Sequence, residues 1–246
     1  MVYGHGGEQV PTAMRADDLI FVRQAKQLGT GHALKQALPY LDPRAATLVL
    51  YGDVPLTTVA TLRRLTAGKG NHVKLLTAIF DDPTGYGRVL RDAHGRVTGI
   101  VEEKDATPGQ RTVREGNTGL YMLPPKHLQR WLGRLSNRNA QKEYYLTDVI
   151  GLAIADGIRV DTVAPKALWE VSGVNSQNQL ADLERVYQSV AAGQLLAAGV
   201  HLADPRRFDL RGTLQCGRDV SIDINCLFEG AVRLGDGVKI GANCVI

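Results

Sequence analysis

The sequence predicts an α/β domain followed by a long helix and then the start of a parallel β-helix, and three observations carry that prediction. Continuous apolar runs alternate with helix-like segments through the first two-thirds of the chain, the pattern of strands buried between layers of helices. From Gln177 to about Ala198 one stripe runs through Leu180, Leu183, Tyr187 and Val190 at helical spacing. After Gly199 a six-residue repeat takes over. Val220, Cys226, Val232, Val238 and Cys244 hold one of its positions, and Ile222, Phe228, Leu234, Ile240 and Ile246 hold another two residues on. Gly235 and Gly241 share a turn position of the same register. Such hexads each make one short strand and its turn.

Taken in order, Leu19–Val22 and Ala46–Tyr51 read as strands buried on both faces, with a helix over His32–Tyr40 between them. Thr57–Leu65 is a second helix, with Thr57 or Thr58 as its N-cap and Gly68 beyond its end. Lys74–Phe80 is the next strand. The alternation predicts βαβ units and a mainly parallel sheet covered on both faces. Arg88–Glu103 differs, because two apolar runs flank Asp92-Ala-His-Gly95, and it reads as a hairpin. A strand over Glu115–Leu123, helices over Lys126–Leu135 and Leu146–Ala155, and a strand over Val160–Val163 follow. Thr147 or Asp148 is placed near the start of the second of those helices. The expected division is 1–177 for the α/β domain, 178–198 for the linking helix and 199–246 for the repeat.

Composition excludes several classes. The 246 residues are 44% hydrophobic and 22% charged, enough to bury a core and unlike a disordered or low-complexity chain. No apolar run approaches the ~20 residues that span a bilayer, so no membrane partner is expected. Met1–Gly7 has no basic patch leading into an apolar stretch, and the compartment is read as cytoplasmic. The net charge of +4 is spread out, with Arg63-Arg64 and Arg206-Arg207 as its adjacent pairs. Without a basic stripe and interleaved aromatics no nucleic-acid partner is expected. Cys216, Cys226 and Cys244 form no Cys-x-x-Cys pair and suit reduced, buried thiols.

The motifs that bear chemistry lie at element edges. Leu50-Tyr-Gly-Asp-Val-Pro-Leu56 sets a carboxylate just past a buried strand, where ligands of α/β sheets bind. A lone Asp there suits Mg²⁺, which takes few protein oxygens, although a turn or cap Asp explains it too. Gln27-Leu-Gly-Thr-Gly-His-Ala33 is a Gly-flanked turn entering a helix, able to admit a flat or anionic ligand closely. His32 in it reads more readily as a packed helix residue than as a catalyst. Asp82–Arg88 resembles a surface loop, Glu102–Asp105 a solvated strand end, and the asparagines of Glu115–Gly119 and Val171–Ser176 turn residues. No nucleophile elbow, His-Glu-x-x-His or Walker loop is present.

The ordered set is more specific than its members. Gln24 with GTGHA, then LYGDVPL, DDPTGYGRV, GIVEEKDAT, EGNTGLY, EYYLTD and VSGVNS, followed by a long helix and hexads, closely resembles the bacterial bifunctional GlmU family along essentially the whole chain. These are N-acetylglucosamine-1-phosphate uridylyltransferases joined to glucosamine-1-phosphate N-acetyltransferases. The resemblance implies a Rossmann-like nucleotidyltransferase domain and a left-handed parallel β-helix of hexapeptide repeats. It implies that UTP and N-acetylglucosamine 1-phosphate are joined into UDP-N-acetylglucosamine with release of pyrophosphate. By motif match, Asp53 and Asn175 would hold Mg²⁺. Gln24, Gly29 and Thr30 would read the uracil, while Tyr51 and Gly52 would line the nucleotide site. Gly87, Glu102 and Asn117 would hold the amino sugar, with Asn175 also touching the nucleotide sugar and Lys104 approaching its phosphate. The parent family assembles as homotrimers.

Two departures temper the carry-over. The family's opening strand and its Leu-x-x-Gly-x-Gly-Thr-Arg-Met loop have no counterpart, and Tyr3-Gly4-His5-Gly6-Gly7 matches the family at the end of its second strand. Losing preorganised donors of that kind costs on the order of 10²-fold in rate for each. The acetyl-transfer residues belong to later coils than this sequence holds. The expectation is an N-terminally truncated uridylyltransferase domain with weak or no turnover; the alternative is a non-catalytic nucleotide-sugar-binding or assembly fragment. An intact acyltransferase is disfavoured.

Overall fold

The computed structural model describes residues 1–4, 6–14, 18–68 and 71–246, in two compact units, Met1–Val171 and Ser172–Ile246. His5, within the stretch compared with the family's second strand, lies outside the described residues. The first unit begins with β1 (Val2–Tyr3), α1 (Gln9–Ala13), β2 (Val22–Arg23), α2 (Thr30–Ala37), β3 (Thr47–Val49), α3 (Val59–Thr66) and β4 (Val73–Ile79). It continues through β5 (Gly87–Arg91), β6 (Val97–Val101), α4 (Pro108–Arg111), β7 (Glu115–Leu123), α5 (Pro125–Arg134), α6 (Asp148–Ala155) and β8 (Val160–Val163).

The main sheet has the order β6-β5-β7-β4-β8, with β3 also pairing β7, while β1 and β2 form a separate parallel pair. It is an α/β sheet, but the expectation that it is mainly parallel is corrected. β4–β8 is parallel, whereas β3–β7, β4–β7, β5–β7 and β5–β6 are antiparallel. The cause is β7. It follows a hairpin and a one-turn helix instead of a full crossover helix, so it enters the middle of the sheet reversed and pairs antiparallel with every strand beside it. Both faces are covered as expected. Val73, Leu75, Tyr121 and Leu123 pack on Trp131, Leu132, Val149 and Ile150 of α5 and α6. Leu76, Ala78, Leu120 and Met122 pack with Leu65 of α3.

The two N-terminal strands are shorter and less buried than their apolar runs imply. Val22–Arg23 pairs with β1 while Ile20 is exposed, and β3 is half-buried because it pairs with β7 alone among the described strands. The α2 helix starts two residues earlier than expected and gives way to a 3-10 turn over Leu38–Tyr40, where Pro39 cannot donate to a continuing helix. Thr58 caps α3 through a 3.2 Å bond from the Thr61 N–H.

The second unit comprises α7 (Gln177–Ala197), β9 (His201–Leu202), β10 (Phe208–Cys216), β11 (Ser221–Ile222), β12 (Cys226–Leu234) and β13 (Lys239–Ile240). Ser176 caps α7 by accepting the Gln179 N–H at 3.2 Å. β10 pairs β12, and β11 pairs both β13 and β9, all in parallel. Phe208 faces Cys226 and Ser221 faces Lys239, an offset of 18 residues in both ladders, so three hexads close one coil. The repeat therefore reaches back to Phe208 and Leu210, earlier than the hexads read from Val220. Phe208, Leu210, Val220, Ile222, Cys226 and Phe228 fill the coil. Asp219, Asn225, Gly237 and Asn243 turn its corners at positive φ of 56°, 56°, 71° and 62°, a conformation that Asn, Asp and Gly tolerate best. All three cysteines are free, but Cys226 is buried and Cys216 and Cys244 only half-buried.

The open edge of β10 is closed by a side chain. Gln188 of α7, 2% exposed, donates Nε2–H to the Leu210 carbonyl at 3.0 Å and accepts the Leu210 N–H at 2.7 Å. Its amide does for one residue what a neighbouring strand would do for an exposed edge. Gln188→Ala leaves both groups unpaired and is expected to cost about 1–3 kcal/mol of unfolding free energy. Amide exchange at Leu210 should accelerate in the same variant, and unchanged exchange there would refute the role.

Candidate functional site

The site is built by a change of partner along β7. Gly116 and Asn117 pair with Arg88 and Gly87 of β5, whereas Tyr121–Leu123 pair with Val49–Thr47 of β3. The end of β3 and the start of β5 therefore face each other along one strand, and Thr118–Leu120 lie between. Gly119 takes φ +82° there, and a Cβ on it would run into the Tyr51 ring. A glycine is needed both for the bend and for the ring that fills it.

Around Tyr51 the predicted residues converge. Burial, with the nearby Glu102 and Asp53 carboxylates adding to it, pushes its phenol up to about 12, against a hydrogen bond with Thr30 that pulls the other way. Beneath it, Asn117 donates Nδ2–H to the Tyr121 hydroxyl at 2.6 Å and accepts the Gly119 N–H at 3.2 Å, so the bend fixes the amide in place. Tyr121 is fully buried and its acidity is suppressed by that burial. Gly87 leaves room beside Glu102, whose Oε2 would lie 3.3 Å from a Cβ at that position. Glu102 Oε1 accepts the Thr147 hydroxyl at 2.7 Å. Burial, together with Asp148 and Asp105 and against the Thr147 bond, raises the Glu102 carboxyl above its ordinary range. Gly87, Glu102, Asn117, Tyr51 and Thr30 thus stand together along one wall beside the bend.

Thr30 links this wall to a second group at the start of α2. Gly29, at φ +98°, lies so close to the Glu143-Tyr144 backbone that a Cβ would meet the Tyr144 carbonyl at 2.8 Å. Leu28 and Gly31 exchange backbone bonds of 2.8 Å with Tyr144, which fixes the turn. Gln24 is buried and bonds to the Gly29 carbonyl and to His32.

Asp53 stands on an exposed turn beyond β3, and its charge adds to burial in pushing the Tyr86 phenol above its ordinary range. It takes no hydrogen bond or ion pair among the described residues. A free, hard oxygen donor with no competing cation fits a divalent ion shared with phosphates. Gly52 is exposed beside it, and Lys104 is exposed in the turn after β6. Asn175 belongs to the second unit, where its N–H donates to Gln179 Oε1 at 2.7 Å. A cavity of about 1010 Å³ elsewhere in the first unit, lined in part by Arg91, Arg96 and Arg159, holds none of these residues. Its arginines are paired with Glu115, Asp92 and Asp161.

Three contributors escaped the sequence. Thr147 stands at the N-cap of α6 as expected, yet it makes no cap bond and its hydroxyl serves Glu102. Gly119 was visible only as a glycine in a strand. Glu170, 1% exposed, carried no local signal. It accepts the Thr58 hydroxyl at 2.7 Å and the Lys166 and Ala167 N–H groups at 2.9 and 3.2 Å, while its carbonyl accepts Thr57 at 2.8 Å. Burial works against its charge, but these bonds and one from Thr61 outweigh burial and hold the carboxyl below its usual range. It thereby anchors the segment that follows Asp53.

A raised Glu102 keeps its proton longer in the fold than in the unfolded chain. The fold then loses stability as pH climbs from the ordinary carboxyl value of 4.5 through the raised one. Glu102→Gln removes the buried charge and retains an acceptor for Thr147. It should be more stable than the parent at neutral pH, with the gain vanishing below the ordinary carboxyl value, as read from urea midpoints across the acid range; an equal or lower midpoint at pH 7 would contradict this.

The chain is 60% identical over its whole length to the bifunctional protein GlmU of Burkholderia multivorans and 59% identical to that of an Azoarcus species. It covers 54% and 55% of those two proteins, so it spans about half the length of the curated relatives it matches. A solved UDP-glucose pyrophosphorylase complexed with UDP-glucose overlaps 62% of the chain at 17% identity and a TM-score of 0.48. The family model for nucleotidyl transferases matches residues 12–175, two-thirds of the sequence. The chain belongs to the nucleotidyl transferase family.

Proposed function

We propose that the first unit binds the substrates of a uridylyl transfer, UTP and N-acetylglucosamine 1-phosphate, and their product UDP-N-acetylglucosamine, in the cytoplasm. The observation that carries this reading is the convergence of Tyr51, Gly87, Glu102 and Asn117 where β3 gives way to β5 along β7. The bifunctional relatives, similar along the whole chain, support it.

In this reading Glu102 offers the sugar one carboxylate oxygen while Thr147 fixes the other. Asn117 is held by Tyr121 and Gly119, so its amide is preorganised before any ligand arrives. The absence of a side chain at Gly87 makes room for the ring. Gln24, Gly29 and Thr30 line the place of the base. Attack of a sugar-phosphate oxygen on the UTP α-phosphorus, with pyrophosphate leaving, needs no protein nucleophile, and the protein's part is alignment. Asp53 would hold Mg²⁺, with Asn175 as the second ligand that the family resemblance implies. Bound Mg²⁺ would offset the charge of the phosphates. Acetyl transfer is a property proposed only for the longer relatives' form of the protein.

Calorimetric titration with UDP-N-acetylglucosamine in the presence of Mg²⁺ tests the reading. Binding is expected. Glu102→Gln should weaken it about tenfold or more, through loss of a charge-assisted hydrogen bond. Asp53→Asn should remove the dependence on Mg²⁺. No detectable binding by the parent chain would overturn the proposal, and pyrophosphate release from UTP and the sugar phosphate separates turnover from binding alone.

A further inference from the structure

His32 has no part in the proposed binding of the base, and the role that follows for it rests on that reading of the base site. Gln24 is 8% exposed, and its Nε2 lies 3.1 Å from the Gly29 carbonyl and 2.9 Å from His32 Nδ1. Oxygen and nitrogen of an amide are not distinguished by shape, so such an orientation has to be argued from partners. Here the partner decides it. A backbone carbonyl can only accept, so the amide atom facing Gly29 must be the NH₂ group. Its second N–H then points at His32, and Nδ1 must be the unprotonated, accepting nitrogen. The ring proton then sits on Nε2, and because Gln36 Nε2 stands 3.3 Å from it, the same partner argument turns the Gln36 amide so that its oxygen accepts that proton. Tyr144 stacks on the imidazole at 6.2 Å between ring centres and holds its plane.

With both N–H groups engaged, Gln24 has only its oxygen to offer, and Oε1 takes no bond among the described residues. The wall therefore presents an acceptor. We propose that His32 is a positioning residue that locks the Gln24 amide oxygen-outward and so selects a base whose edge carries an N–H donor. Uracil has such a donor at N3, flanked by two carbonyls. Cytosine presents an acceptor at the same place and would leave two acceptors facing each other, a mismatch of the kind that polar sites reject strongly. Without His32 the amide keeps one anchor, at Gly29, and can swing.

Titration of the full chain with UTP and with CTP, both with Mg²⁺ at pH 8, where an ordinary imidazole is neutral, provides the test. The parent should favour UTP. His32→Ala should weaken UTP binding about tenfold and shrink the UTP-to-CTP ratio, while His32→Asn, whose Oδ1 can take the same N–H, should restore much of the ratio at an unchanged melting temperature. A His32→Ala protein that folds and keeps the parental ratio overturns the proposal. ¹⁵N spectra of histidine-labelled protein, with the His32 signals assigned by their loss in the Asn variant, should show the Nε2–H tautomer, and an Nδ1–H ring also overturns it. Parent protein that binds neither nucleotide while showing the Nε2–H tautomer defeats the reading of the site, and base selection by His32 falls with it.

Discussion

The packing of the Tyr51 ring against the bare backbone of Gly119 is the contact on which the arrangement of the first unit turns. A strand that continued straight would have kept one partner on that side. Because β7 bends at a residue with positive φ, it serves β5 with its first half and β3 with its second, and the ends of two strands come to one place. A chain of polar contacts hangs from that bend. The Gly119 N–H holds Asn117, Asn117 holds Tyr121, and the ring in the gap reaches Thr30 on α2. A methyl group at residue 119 would displace the ring and the amide together.

Around this contact the fold accepts costs that a purely structural core would avoid. Glu102 is largely removed from water with Asp148 and Asp105 for neighbours, and a threonine well placed to cap α6 is diverted to it. Local rules that fail together in this way mark places where function competes with stability. Glu170 shows the opposite arrangement, a buried carboxylate whose bonds are all supplied. The contrast separates the two acids by role: one is satisfied and anchors a segment, the other is kept short of partners and faces the pocket.

Much of the fold was legible because the relevant signals are local. The limits of β7 and β8, the hairpin at Asp92–Gly95, the Thr58 cap and the helix from Gln177 follow from apolar periodicity and turn chemistry. The direction of β7 was not, since a strand reads the same in either sense and only the length of the preceding connection distinguishes them. The hexads at Val220 and beyond were plain, and the same spacing runs back unbroken through Leu214 and Cys216 to Phe208 and Leu210, so the earlier part of the repeat was legible too. In the site, Tyr51, Gly87, Glu102 and Asn117 could each be named from motifs, but each had an ordinary explanation by itself. Their meeting depends on strand register, and the parts played by Thr147, Gly119 and Glu170 depend on partners far away in the chain.

The 18-residue coil of the second unit has a consequence for how this region can change. Inward and outward positions alternate, and the corners fall at fixed intervals, so inserting or removing one residue within a strand would turn every later apolar side chain toward water. Adding or removing a whole coil leaves the ladder, the corners and the interior in phase. Length in this unit is therefore quantised: it can vary in steps of one coil, while substitutions are judged singly by the two neighbours each strand touches.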